Sequence, residues 1–289
     1  MSVALRMGLQ RDPDAPLATI ATSATALVVA LVVAAAETPS RGLHLSSAWP
    51  FLLAGLLSPG AAQILVTLAI RESGSSRVSM IFGTAPLVSV TIALLILNEP
   101  ASPPLIAGAL LIVGGGVLLA REPDRPEHLN RIGLVFAFAG ATLFAIRDNL
   151  VRHLAVGRTP VPPAVAASAA LLGGTLLIAL WAANATGEAG GPRPQDRAPS
   201  APPGARRWIS RRWLPFVPAG LLFGASYVSL FEAYYRGRVT VVAPLIAIES
   251  LAGVALSVVF LRDSELVGKR LLVGAGLIVA GGALIGAFR

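Results

Sequence analysis

Residues 239–261 read VTVVAPLIAIESLAGVALSVVFL, 23 residues with one ionisable side chain, Glu249, at the eleventh position. A helix rises about 1.5 Å per residue, so roughly 20 apolar residues cross the hydrocarbon core of a bilayer. The run is continuously apolar, unlike the alternating strands of about 10 residues that build a membrane barrel. In lipid each backbone N–H and C=O needs an internal partner, and a helix supplies it. The stretch is therefore predicted to be a membrane helix with a carboxyl near its midplane. A charge there costs roughly 2.5–3.5 kcal/mol on insertion scales. Glu249 has two explanations: a neutral carboxyl bonded to an adjacent helix, or a group that takes and releases a proton, as a proton-coupled carrier requires.

Eight further apolar runs surround this one: 17–36, 48–70, 78–97, 104–120, 132–154, 161–183, 213–235 and 271–288. The expected fold is all-α and polytopic, with nine transmembrane helices in this chain. The composition agrees, at 55% hydrophobic and 13% charged residues, against about a quarter charged in soluble domains. Connections such as 98–103 and 236–238 are short enough to join only antiparallel neighbours. The exception is 184–212, with six Arg, five Pro and four Gly, read as a flexible loop. Trp49, Trp181 and Trp213 stand at helix ends, where an indole prefers the headgroup region. The first run is too long for the apolar core of a signal peptide and follows Asp12 and Asp14.

The second half of the chain repeats the first. Trp49 and Trp213 each open a run, at an offset of 164; Ala-Gly-Leu-Leu at 54–57 recurs at 219–222, and Gly60-Ala61 as Gly224-Ala225. Upstream, Arg11, Pro13 and Pro16 pair with Arg158, Pro160 and Pro163 at an offset of 147. The two offsets differ by 17, which is the excess of the loop 184–212 over the loop 37–48. One insertion thus reconciles the two alignments. A repeat of five helices inverts the second unit relative to the first, as in many secondary transporters.

The segments Ala69-Ile70-Arg71-Glu72-Ser73-Gly74, Thr84-Ala85-Pro86-Leu87 and Leu95-Ile96-Leu97-Asn98-Glu99, followed by the Gly-rich run 104–120, resemble the EamA-type repeat of the drug/metabolite transporter superfamily. Tyr235-Arg236-Gly237, Ile248-Glu249-Ser250 and Leu261-Arg262-Asp263 repeat the pattern. Ser250 stands where the family often has proline, and Asp263 replaces the loop Glu. The resemblance implies two inverted units, here 1–121 and 131–288, and carriage of amino acids, other metabolites or drugs. It also implies ten helices and a cytoplasmic C-terminus. Subtracting 147 from the run 132–154 places its partner at about −15 to 7, so a first helix is expected to begin upstream of Met1.

Polar residues inside the runs are the site candidates. Glu249 leads. Glu232, near the end of its run, is explained equally by solvation. Arg147 lies at intermediate depth and can snorkel or pair with a carboxylate from another helix. Asp148 has Arg152 at i+4, the favourable order for a helical ion pair, and Asn149 is a lesser candidate. Gln63 and Tyr227, related by the same offset of 164, are expected to point into one central cavity. Pro86 and Pro244 are expected to kink their helices and free carbonyls. Gly282 and Gly286, like Gly116 and Ala120, form small-residue ridges that pack within the chain or support a homodimer.

Other classes lose their chemistry. There is no cysteine, hence no disulfide, thiolate metal site or Cys nucleophile. His44, His128 and His153 form no His-Glu-x-x-His, and no phosphate-binding Gly-x-x-x-x-Gly-Lys motif occurs. No cofactor and no enzymatic activity are expected. The sole lysine, Lys269, opens a run rather than lying deep inside one. The net charge of +8 is spread among the loops and forms no nucleic-acid surface. The expected partners are a small-molecule substrate and the lipid bilayer. The expected place is a microbial plasma membrane, since 22 of 23 basic residues are Arg and Ala is abundant. The alternatives are a lipid-linked-sugar flippase of the same superfamily, with Arg147 in its headgroup pocket, and a non-transporting membrane scaffold.

Overall fold

The computed structural model describes residues 1–41, 44–96, 103–120, 131–156, 161–188, 211–246, 248–260 and 269–287. Among them there is no strand. The helices are α1 Ser2–Arg11, α2 Ala15–Arg41, α3 Trp49–Gly55, α4 Ala62–Ser73, α5 Ser75–Phe82, α6 Ala85–Ile96 and α7 Pro103–Ala120. They continue with α8 Arg131–Val156, α9 Pro163–Glu188, α10 Val217–Arg236, α11 Val239–Ile246, α12 Ile248–Phe260 and α13 Lys269–Ala287. Proline sits in the first turn of α3, α7, α9 and α10, where its missing N–H costs nothing.

Five described stretches are long and apolar enough to cross a membrane: Ala15–Pro39, Trp49–Ser73, Arg131–Val156, Pro163–Asn184 and Leu214–Arg236. The expected helix 78–97 is instead two helices, α5 and α6, separated by Gly83-Thr84. Its start is also set off from α4 by Gly74, whose φ of 81° and ψ of 164° suit a residue without a Cβ. Within the expected helix 239–261 the described residues are helical over α11 and α12, and Ala247 lies outside the described residues. The stretch Trp49–Ser73 runs through a wide turn at Leu56–Ala61. There Ser58 is extended, with φ −149° and ψ 117°, as a residue before proline is driven to be. Pro59 thus interrupts a run that hydropathy alone reads as continuous.

The helices pack through small residues. A Cβ on Gly55 would strike the backbone of Ala170, and one on Gly173 the carbonyl of Leu52, so α3 and α9 cross with their backbones in contact. In α7 and α13, Gly108 and Gly281 oppose each other in the same way. Helix α13 thus meets α7 within the chain at Gly281; Gly282 is buried and Gly286 half-buried. Helix α10 lies on α2, with Gly220 against Thr22 and Thr25 and Gly224 against Ala26 and Val29. Helix α5 packs on α12, and α6 on α8 and α11. Large apolar side chains remain on the outside, among them Leu95, Leu110, Val135, Leu180 and Val259, each at least 65% exposed. Such a surface requires lipid rather than water.

Candidate functional site

A cavity of about 630 Å³ opens among α1, α5, α6, α8, α10, α11 and α12. Helix α10 supplies its longest wall, with Phe223, Ser226, Tyr227, Leu230 and Ala233 at the i, i+3, i+4 spacing of one helix face. Helix α8 adds Phe144, Arg147 and Asp148 at the same spacing. Phe82 at the end of α5, Ala85 and Ser89 on α6, Ala243 and Ile246 on α11, and Met1 close the sides. Glu249, the second residue of α12, stands exposed at the cavity wall.

Arg147 is the most constrained group. Its Nε donates to Asp148 Oδ1 at 3.0 Å and its Nη2 donates to the same oxygen. Its Cζ lies 4.8 Å from the ring centre of Phe144 and 4.9 Å from that of Tyr227, within cation–π range. Arg147 and Asp148 are only 3% and 5% exposed. A buried ion pair holds only if both charges keep their partners, and here the pair is closed by adjacent residues of one helix.

This corrects two expectations. Arg147 takes no carboxylate from another helix, and Asp148 does not pair with Arg152. Arg152 Nη1 donates instead to the carbonyls of Tyr234 and Tyr235, at 2.9 and 3.3 Å. The unpaired carbonyls at the end of α10 draw Arg152 away, and the buried guanidinium of Arg147 takes Asp148.

Tyr227 does two jobs. Its ring covers one side of Arg147, and its hydroxyl donates to Ser58 O at 2.9 Å. Because Pro59 holds Ser58 out of helical geometry, that buried carbonyl needs an outside donor. Tyr227 therefore joins the cavity wall to the break between α3 and α4.

The structure brings Glu249, Arg147 and Tyr227 together at one cavity. Asn149 lies behind the wall; its Nδ2 donates to Ser89 O at 3.1 Å and Ala145 O at 3.0 Å, tying α8 to α6. Gln63 is fully buried on α4, and neither of its polar side-chain atoms has a partner among the described residues. It does not reach the cavity because α8 covers its side of the bundle: a Cβ on Gly140 would lie 3.1 Å from Val66 and 3.5 Å from Ala62 O. At the offset of 164, Ala62 and Val66 correspond to Ser226 and Leu230, which do line the cavity. Glu232 pairs with Arg236, one turn on, and is not among the lining residues. Pro86 is the second residue of α6, in its first turn rather than at a kink, and Pro244 is the sixth residue of α11.

Sequence reasoning paired Asp148 with Arg152 and passed over Ser89, Phe82, Phe144 and Phe223. Stepping three and four residues from Arg147 and Tyr227 reaches Phe144 and Phe223. Ser89 and Phe82 carry no such signal until the break between α5 and α6 is known.

Residues 1–121 match the family model described as the EamA-like transporter family. No curated protein matches the chain in sequence. Nineteen solved chains match in structure. One of them, a crystal structure of a protein, has a TM-score of 0.64 and 21% identity, covering 98% of this chain and 93% of its own; at that identity the likeness concerns the fold alone. The match likens residues 1–121 to the EamA-like transporter family, and together with the apolar helices it indicates an integral membrane protein.

Proposed function

We propose that the chain is a secondary transporter that moves a small metabolite or drug through this cavity by alternating access, with Glu249 as the proton-coupling group. One observation carries the reading. Phe82 on α5 and Ile246 on α11, related by the offset of 164, both line the cavity. Ala85 and Glu249, related by the same offset, line it as well. In transporters built from internal repeats the binding site lies where the two repeats meet. Two inverted units, 1–121 and 131–288, would give such a cavity two equivalent conformations, one open to each side.

The groups that share the cavity with Glu249 are Arg147 and Asp148 from α8 and Tyr227 from α10. The lining from α5, α6 and α11 is Phe82, Ala85, Ser89, Ala243 and Ile246, with Met1 at the head of α1. No lining side chain from those elements carries a charge, so protonation of Glu249 changes the charge of the cavity without a competing titration from them.

The test is reconstitution of the full chain in liposomes. Glu249→Gln keeps volume and hydrogen bonding, so the protein should stay folded while transport loses its dependence on pH. An unchanged pH profile would assign Glu249 a purely structural part. On orientation, basic residues favour the N-terminal side of the membrane, 16 against 7, and positive-inside then puts the C-terminus outside. Six of the 16 lie in the single loop 184–212, and without them the count is 10 against 7. The proposal follows the family resemblance in keeping the C-terminus in the cytoplasm, and a C-terminal reporter active only outside would reverse it.

A further inference from the structure

Resting on the carrier reading, we infer that the cavity takes an organic monocation with an apolar or aromatic body, its charge set against Glu249. The argument is one of charge. Among the described residues three ionisable side chains line the cavity: Arg147, Asp148 and Glu249. The first two neutralise each other through bonds from Nε and Nη2 to one carboxylate oxygen. Glu249 is exposed at the wall and, among the described lining residues, is the one whose charge that pair leaves uncompensated. A single negative charge against an apolar wall is neutralised by a proton or by a cation.

Arg147 does not serve as an anion reader in this arrangement. The rings of Phe144 and Tyr227 lie 4.8 and 4.9 Å from its Cζ, and two of its nitrogens are bound to Asp148. A carboxylate or phosphate brought to its remaining nitrogen, Nη1, would lie close to Asp148 in a cavity whose other charge is Glu249. Both would repel it. A zwitterion would satisfy Glu249 with its ammonium and leave its carboxylate facing Asp148.

The rest of the wall suits an apolar cation. Phe82 and Phe223 offer ring surfaces in the lining, Leu222, Leu230 and Ile246 offer aliphatic surface, and Ser89, Ser226 and Ser229 are the neutral polar groups. A ring near an ammonium adds attraction without adding charge. The volume of about 630 Å³ lies within the range of sites for drug-sized ligands.

The experiment uses the purified full chain and three probes of similar size. These are benzyltriethylammonium, whose charge is fixed, zwitterionic phenylalanine, and benzenesulfonate. Binding is read by thermal shift and calorimetry at pH 8, and passage by uptake into proteoliposomes. The expected result is saturable binding of benzyltriethylammonium alone. Glu249→Gln should weaken it by roughly tenfold or more, with the unliganded melting temperature kept, and Glu249→Asp should recover part of the loss. The inference falls if phenylalanine or benzenesulfonate binds in preference, if no probe binds, or if Glu249→Gln binds the cation as the parent does. The carrier reading fails separately. Glu249-dependent binding without uptake would leave the ligand class standing and remove transport, and uptake of the zwitterion in place of the cation would do the reverse.

Discussion

Arg6 and Arg152 make the same pair of bonds at the ends of two different helices. Arg6 Nη1 donates to the carbonyls of Ile70 and Arg71, both at 3.1 Å, where α4 ends. Arg152 Nη1 donates to those of Tyr234 and Tyr235, at 2.9 and 3.3 Å, where α10 ends. Tyr234 and Tyr235 correspond to Ile70 and Arg71 at the offset of 164, and Arg152 corresponds to Arg6 at an offset of 146. The last carbonyls of a helix lack partners within it, and a guanidinium there supplies donors and favourable charge together. Helix α1 thus stands to α4 as the end of α8 stands to α10. The upstream offset read from Arg11 and Arg158 is 147, larger by one. The turn from α1 to α2 spans three residues and that from α8 to α9 spans six, so landmarks taken inside the turns misplace the helices.

Replacing Arg152 with Met keeps most of the side chain's length and removes its donors. Two carbonyls at the end of α10 then lose a charged partner, at a cost of about 1.5–3 kcal/mol. Arg6→Met should act in the same direction at the end of α4, and Arg152→Lys should cost less than Arg152→Met. Equilibrium unfolding in mixed micelles measures all three. No loss in either Met variant would mean that water or lipid headgroups replace the caps.

Tyr227→Phe separates the two parts that Tyr227 plays. The ring remains over Arg147, and Ser58 O loses its donor, at a cost of about 1–3 kcal/mol for the unsatisfied carbonyl. Tyr227→Leu also removes the ring and should cost more. Equal losses in the two variants would show that the hydroxyl carries the whole effect.

Much of this site was legible because lipid makes polarity conspicuous. Glu249, Arg147 and Tyr227 stood out as polar groups in apolar runs, and a polar group there faces a cavity or a partner. The same logic misplaced Gln63, because its repeat relation to Tyr227 ignores what covers each half: α8 lies over α4 at Gly140, and the corresponding face of α10 is open at Ser226 and Leu230. Helix breaks were the other gap. Average hydropathy is blind to backbone geometry, so 48–70 and 78–97 read as continuous runs, although Ser58 leaves the helical region before Pro59 and α5 ends at Phe82. Attention to kinks settled on Pro86 and Pro244, whereas Pro59 lies at the break that Tyr227 closes. Asp148 was misread for a local reason. The i+4 rule describes an isolated helix, and here the end of α10 takes Arg152.

Breaking the Arg147–Asp148 pair should be among the costliest changes in the chain. Asp148→Ala leaves a guanidinium 3% exposed with its two cation–π neighbours and no counter-ion, a loss of about 3–5 kcal/mol. The double variant Arg147→Met with Asp148→Leu removes both charges at similar volume and should recover most of that stability. If the double variant is as unstable as Asp148→Ala, the pair contributes through its shape rather than its charge.

Outside the membrane-spanning stretches, Arg212 clamps the turn between α1 and α2. Its Nε donates to Asp12 Oδ2 at 2.6 Å, and its Nη2 to Asp12 Oδ1 at 2.8 Å and to Asp14 Oδ2 at 3.2 Å. The hydrogen bond from Arg212 holds the Asp12 carboxyl below its ordinary value of 3.8; Coulombic attraction to Arg212 adds to it and partial burial opposes it. The unfolded chain therefore takes up the proton first as pH falls. The stability contributed by Asp12 is fully present above about pH 5, declines as pH drops through 3.8, and is gone below the lowered folded value. The Arg212 side chain is 40% exposed, so solvent screening limits the contribution to about 1 kcal/mol. Melting temperatures between pH 3 and pH 6 should fall less steeply for Asp12→Asn than for the parent, and 0.5 M salt should narrow the difference, since such charges are screened within a few ångströms. Parallel curves for parent and variant would show that the clamp contributes nothing to acid stability and that the α1–α2 turn is held by packing alone.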